Sequence, residues 1–264
     1  MLLARLETLR VAALLVLAVA APASSQGLSF ESPDQLKRYT DCMQMARSEP
    51  LKALPIAERW QAAGGGLGAR HCAAVAMFEA GRYGQAAGQF ESIAHDMGQE
   101  RPGLRAELLV QAGQAFLEAG LADRAADAQS RALALKPQDP ELWIDRGLSY
   151  AAMQAWPRAI SDFDHALALR PDDVEILVLR AAAWRNAGNA GKALEDAGRA
   201  LKIAPDHSEA LLERGYASLA LGDQRQATND FNTVLRLVPA NSTAAKRAQS
   251  GLRGEIPAAS AAKR

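Results

Sequence analysis

The sequence is poor in the residues that build sheets. Valine and isoleucine together supply 16 of 264 residues, and Phe, Tyr and Trp only 14. A pleated, half-buried surface favours β-branched and aromatic side chains, so a large sheet is excluded. An excess of one charge is also lacking, since 30 Lys and Arg face 30 Asp and Glu. That removes the global electrostatic basis for binding nucleic acid or an anionic membrane surface. Cysteine is nearly absent, with only Cys42 and Cys72. Alanine is the commonest residue by a wide margin, accompanied by Leu, Glu, Gln and Arg. These are the favoured helix formers. The composition therefore describes an all-α protein whose helices pack closely on small side chains.

The N-terminus, from Met1 to Ala23, reads as an address. Arg5 and Arg10 outweigh Glu7, residues 11–21 are uninterrupted apolar, and Ala21-Pro22-Ala23 follows. A positive start, an apolar middle and small residues at −3 and −1 describe a secretory signal peptide of the Sec type. The apolar run is short of the roughly 20 residues a spanning helix needs. Retention as an anchor is the alternative, and Ser25 is the alternative cleavage point to Ala23. No cysteine follows closely enough to carry a lipid. After cleavage 28 basic groups face 29 acidic ones, residues 24–33 act as a linker, and no membrane contact is expected. The signal and the preference for Arg over Lys, 23 against 7, are of the style of a GC-rich bacterium. The expected destination is the periplasm or the medium.

A fixed period runs through the body, with equivalent residues spaced by 34. Pro137, Pro171, Pro205 and Pro239 mark it, as do Glu107, Glu141, Glu175 and Glu209, and Ala125, Ala159, Ala193 and Ala227. Residues 140–173 show the unit most completely, with Trp143, Gly147, Tyr150, Ala159, Phe163, Ala166 and Pro171 at unit positions 4, 8, 11, 20, 24, 27 and 32. This resembles the tetratricopeptide repeat. Residues 106–139, 174–207 and 208–239 keep the pattern in part, with Ala197 at the large position 24 and Ser218 at position 11. Upstream, Ala86 and Ala53 place two degenerate units in residues 34–105, with extra residues expected in the turn-rich stretch 97–103. Small residues at 8 and 20 let the two helices of a hairpin approach, and the proline ends the second helix. Asp139, Asp173 and His207 stand at N-cap positions. No hairpin buries its apolar face alone, so neighbours must stack.

The resemblance implies a right-handed α-solenoid of about six hairpins, its helix A residues lining a concave wall. Residues 240–252 read as a capping helix over the last apolar face, and residues 253–264 as a disordered tail.

Arg146, Arg180 and Arg214 occupy unit position 7, and Asp162, Asp196 and Asp230 position 23. In the preceding units the two positions are Ala112 with Ala128, and Ala73 with Gln89, so both charges are present or absent together. This points to a ladder of Arg–Asp pairs, within a unit or to the next one; two independent surface preferences are the alternative. Exposed pairs would contribute only ~0.2–1 kcal/mol each.

No catalytic constellation, metal site or cofactor motif appears. The four histidines, His71, His95, His165 and His207, have no metal-ligand spacing with cysteines or carboxylates. The glycines at 64–66 and 68 lack the P-loop lysine and follow no strand. In the repeat register Cys42 falls at position 9 and Cys72 at position 6 of consecutive A helices, which packing sets side by side. An oxidising compartment then favours a Cys42–Cys72 disulfide closing a 30-residue loop; two buried thiols are the alternative.

The resemblance also implies a protein-binding wall. Its candidates are Val110, Gln114, Leu117, Ile144, Leu148, Val178, Arg185, Asn186, Leu212, Tyr216 and Leu219. This set is mixed apolar, without the Lys and Asn cluster that grips a carboxylate terminus. It suits an apolar or helical segment of a partner protein, unless tight coiling buries these residues against one another. The expected function is a periplasmic scaffold or adaptor in envelope assembly or secretion. A self-associating structural protein pairing through its terminal repeats is the alternative, and an enzyme with a hidden site a remote one.

Overall fold

The computed structural model describes residues 32–99 and 101–256. The signal peptide, its cleavage site and the linker as far as residue 31 lie outside them, as does the tail from residue 257. Among the described residues there are thirteen α-helices and no strand. Six hairpins run α1 (Pro33–Ser48) with α2 (Pro50–Ala62), α3 (Gly66–Glu79) with α4 (Tyr83–Asp96), α5 (Pro102–Glu118) with α6 (Ala122–Leu135), α7 (Pro140–Ala152) with α8 (Trp156–Leu169), α9 (Val174–Asn186) with α10 (Ala190–Ile203), and α11 (Ser208–Ala220) with α12 (Gln224–Leu237). A single helix, α13 (Thr243–Leu252), follows them. No described helix is long and apolar enough to cross a membrane.

Side chains start these helices where the sequence placed caps. Asp173 Oδ1 accepts from the amides of Glu175 and Ile176 at 3.0 and 3.2 Å. Asp139 Oδ1 accepts from Glu141 N at 3.1 Å, and His207 Nδ1 from Ala210 N at 3.2 Å. Each supplies an acceptor to an otherwise orphaned amide. Ser242 does the same for α13, through Ala245 N at 3.1 Å. Two boundaries differ from the sequence expectation. Helix α5 starts at Pro102, so most of the extra residues upstream of residue 106 extend a helix instead of lengthening a turn; proline is favoured at a first helical position because its missing donor costs nothing there. Residues 253–256, expected as disordered tail, begin with a turn: Gly254 has φ +77° and the Glu255 amide donates to Ser250 O at 3.0 Å.

The chain divides into two compact units, one ending at Leu142 and the other continuing from Trp143. In the first, α1 to α3 enclose a core of Cys42, Ala46, Ala53, Leu54, Ala57, Cys72, Ala73 and Ala76. Leu54 is the one large aliphatic side chain buried there, so close helix approach rather than bulk fills the space. The second unit has a larger core built on Phe163, Ile176, Leu177, Leu212, Tyr216, Phe231 and Val234.

Within a hairpin, positions 8 and 24 share one volume. A Cβ added at Gly147 would lie 2.6 Å from Phe163 Cε1, and one at Gly215 would lie 2.7 Å from Phe231 Cε1. Where position 24 is small, as at Ala197, position 8 is Ala181, and both are fully buried. Gly147→Leu is therefore expected to lower stability by ~1–3 kcal/mol or more through overpacking. Gly222 lies in the α11–α12 turn at φ +84° with open space around its Cα. Gly222→Leu carries only the backbone cost of a left-handed residue, about 1–2 kcal/mol. Thermal melts of the two variants check the order, and a less stable Gly222 variant would contradict it.

Candidate functional site

The Arg–Asp pairs close inside their own hairpins. Arg146 Nε and Nη2 donate to the two carboxylate oxygens of Asp162, both at 2.8 Å. Arg180 and Asp196 repeat this fork at 2.7 and 2.6 Å, and Arg214 and Asp230 at 2.8 and 2.6 Å. Arg180 also reaches back to Asp164 through Nη1 at 2.6 Å. The sequence alone suggests exposed pairs. Instead the three aspartates are only 2–3% accessible, and hydrogen bonding to the carboxylate holds each arginine above its usual pKa. A forked pair with a buried carboxylate is worth more than a surface bridge, because the unpaired partner would be left desolvated. A double-mutant cycle on Arg180→Met and Asp196→Asn is expected to show a coupling of about 1–3 kcal/mol. Additive losses would return the pairs to separate surface roles.

The residues assigned to a binding wall divide sharply between the two units. In the first, Val110, Gln114 and Leu117 of α5 are half-buried. At the equivalent register, Val75 of α3 and Met45 of α1 are half-buried too. In the second unit the assignment fails at most positions. Leu148, Val178, Leu212 and Tyr216 are buried members of the core, while Ile144 and Leu219 pack against it half-buried. Asn186 turns its amide back onto its own helix, donating to Ala182 O at 2.8 Å.

Arg185 is not an open wall residue either. Its Nε donates to Glu213 Oε2 at 2.8 Å. Arg247 of α13 donates to the other oxygen of Glu213 through Nη2 at 2.9 Å, and its Nη1 meets Glu209. Side-chain accessibilities of 9, 4 and 12% make Arg185, Glu213 and Arg247 a buried Arg–Glu–Arg cluster. Burial pushes the Glu213 carboxyl up, but the two guanidiniums outweigh it and hold it below the usual carboxylate range. The Tyr216 hydroxyl donates to Arg247 O at 2.6 Å. Its ring packs on Phe231 at 5.1 Å between centroids. Seen from the sequence, Glu213 and Arg247 are ordinary helix charges, off the repeat pattern, and nothing marks them as partners.

At the other end of the chain, Cys42 and Cys72 form a disulfide with a Cα–Cα distance of 6.1 Å. It fastens α1 to α3, beside a polar contact that the sequence did not reveal. The neighbouring His71 is buried and meets Tyr39 Oη through Nδ1 at 2.8 Å and Gln111 Oε1 through Nε2 at 2.9 Å. His165 lies flat on Trp143, with ring centroids 4.2 Å apart. Among the described residues no group of three or more His, Cys, Asp or Glu could hold a metal ion.

Comparison with known proteins agrees with this architecture. Residues 112–184 match the family model of the tetratricopeptide repeat. The crystal structure of MamA is 18% identical, with a TM-score of 0.55 over 62% of this chain and 93% of that one. That of TTC0263, a thermophilic TPR protein in Thermus thermophilus, is 20% identical, with a TM-score of 0.53 over 68% of this chain and 95% of its own. A MamA RS-1 double mutant is likewise 20% identical, with a TM-score of 0.55 over 62% and 89%. At these identities the likeness is one of fold. No curated protein matches the sequence. Stacked helical hairpins and a 34-residue period thus continue on both sides of residues 112–184, the segment that matches the tetratricopeptide repeat.

Proposed function

We propose that the chain is an exported scaffold that holds an apolar segment of a partner protein on its first unit. The observation that carries this is the contrast at one register. In α1, α3 and α5, positions 9 and 12 present the half-buried Met45, Val75, Gln114 and Leu117, with Cys42 alone buried in the disulfide. In the second unit the same positions include Leu148, Ala151 and Tyr216, all buried. A wall that keeps apolar side chains partly in water, with a glutamine among them, suits a helical or extended segment that completes their burial. Export is supported by the pattern of residues 1–23 and by the use of both cysteines in one disulfide.

A photo-crosslinking side chain placed at Leu117 and, separately, at Leu148 tests the site in periplasmic extract. Partner adducts are expected at 117 and not at 148. Adducts at twice the chain mass would instead assign this face to self-association. The absence of any adduct at 117 would reject the site. N-terminal sequencing of the periplasmic protein should begin at Ser24, and a chain still starting at Met1 in the membrane fraction would reject export as a soluble protein.

A further inference from the structure

Four helices converge on His71. It stands on α3 with its ring 6.0 Å from that of Tyr39 on α1 and 5.8 Å from that of Phe90 on α4. With the Gln111 carbonyl oxygen of α5 opposite Nε2, that nitrogen carries the proton, and Nδ1 accepts from the Tyr39 hydroxyl. One neutral ring thereby links three consecutive hairpins. The charged groups around it are Arg47 of α1, which opposes a second positive charge, and Glu107 of α5, which favours one. Burial dominates and pushes the His71 pKa down from its ordinary value, while it raises that of Tyr39 to about 12. The rest of the seam is weak in apolar area, since Ala46, Ala53, Ala57, Ala73 and Ala76 make up most of its core.

We propose that His71 is an acid-released latch for the first hairpin, and that the Cys42–Cys72 disulfide is the tether that makes the release reversible. Protonation at Nδ1 turns an acceptor into a donor aimed at the Tyr39 hydroxyl and brings a cation into a desolvated site near Arg47. Opening the α1–α3 seam returns the imidazolium to water. Because the disulfide is adjacent in sequence to the latch, the hairpin swings without leaving, and it uncovers the alanine-lined face of α3. The latch lies in the same unit as the proposed binding wall but works without a partner.

The sign follows from linkage. A histidine whose folded pKa lies below its unfolded one binds protons preferentially in the open state, so the seam is fully held above about pH 6.5 and loosens as the pH falls below it. Amide hydrogen exchange on the full-length oxidised protein reads this directly, with rates corrected for intrinsic pH dependence. Between pH 7.5 and 5.0, protection in α1 and α2 is expected to fall about tenfold, with α9 to α12 unchanged. His71→Phe, which keeps a ring between Tyr39 and Phe90 but cannot titrate, should remove the difference. An equal fall in that variant, or pH-independent protection in the wild type, would overturn the latch. If the variant does not fold, the wild-type ring itself decides by NMR: titration below 6.5 in step with α1 exchange supports the latch, and an ordinary titration with α1 still protected refutes it. Reduction should convert the loosening into full detachment of the hairpin at pH 5.0. A reduced protein that is no more open there than the oxidised one would remove the tether role.

Discussion

Cys72→Ser is expected to lower the stability of the first unit by about 3–4 kcal/mol, the chain-entropy value for a closed loop of this length. The bond joins residues 30 apart, and their Cα atoms lie within the ordinary disulfide range. It acts on a core that has little else to hold it: among the eight buried residues that α1 to α3 share, five are alanine. The loss should appear in α1 to α4 and leave the second unit untouched, since no bond of that unit changes. Cys42→Ser should cost the same, and the double serine variant no more than either, because the first substitution already removes the cross-link. Hydrogen exchange resolves the two units better than fluorescence does, as Trp60 is the sole tryptophan of the first and Trp143, Trp156 and Trp184 belong to the second. A serine variant with wild-type protection in α1 and α2 would show that the bond carries no stability.

The largest single loss in the second unit is expected from Glu213→Ala. Two guanidiniums share this carboxylate at 2.8 and 2.9 Å in a site nearly closed to water. Removing it takes the carboxylate from the buried Arg185 and leaves Arg247 with Glu209 as its one carboxylate partner. Breaking a buried ionic cluster in this way costs about 3–5 kcal/mol. Replacing the charges together is a different matter. A variant carrying Arg185→Leu, Glu213→Leu and Arg247→Met leaves only Glu209, which reaches solvent, without its arginine, and should recover most of what Glu213→Ala loses. Urea denaturation followed by tryptophan fluorescence reports the second unit and distinguishes the two results. Equal stability of the single and triple variants would mean that packing, not charge, holds α13. The carboxylate also has its own acid signature. Its pKa is depressed in the fold, so its contribution is complete above the ordinary value of 4.5 and is lost as the pH falls below it.

The periodic residues were legible and the aperiodic ones were not. Three series spaced by 34 gave the hairpins, their caps and the Arg–Asp register, because each requirement recurs in every unit with the same neighbours. The joint absence of charge at Ala112 and Ala128 showed that positions 7 and 23 belong together; it could not show that the aspartate would be buried. The two cysteines were placed by the same register. The binding wall was misjudged in the second unit because its closure depends on residues that occur once. Arg247 lies on the added helix and has no counterpart in the repeats, and its pairing with Glu213 exists only because α13 brings an arginine down onto α11. His71 was equally opaque, since its partners Tyr39 and Gln111 lie 32 and 40 residues away on different hairpins. The early start of α5 was visible in principle in Pro102, a favoured first helical residue, but the glycine that follows reads as a turn.

Because each Arg–Asp fork closes over 16 residues inside one hairpin, a hairpin carries its charge neutrality with it. Gene duplication or deletion of the segment 140–173 moves an intact pair and strands no buried aspartate. The last hairpin is not so portable. Glu213 takes its partners from the hairpin before it and the helix after it, so residues 174–252 have to be inherited as a block. An array of this kind can lengthen or shorten ahead of that block by whole repeats, while its terminal segment diverges only by coordinated substitution.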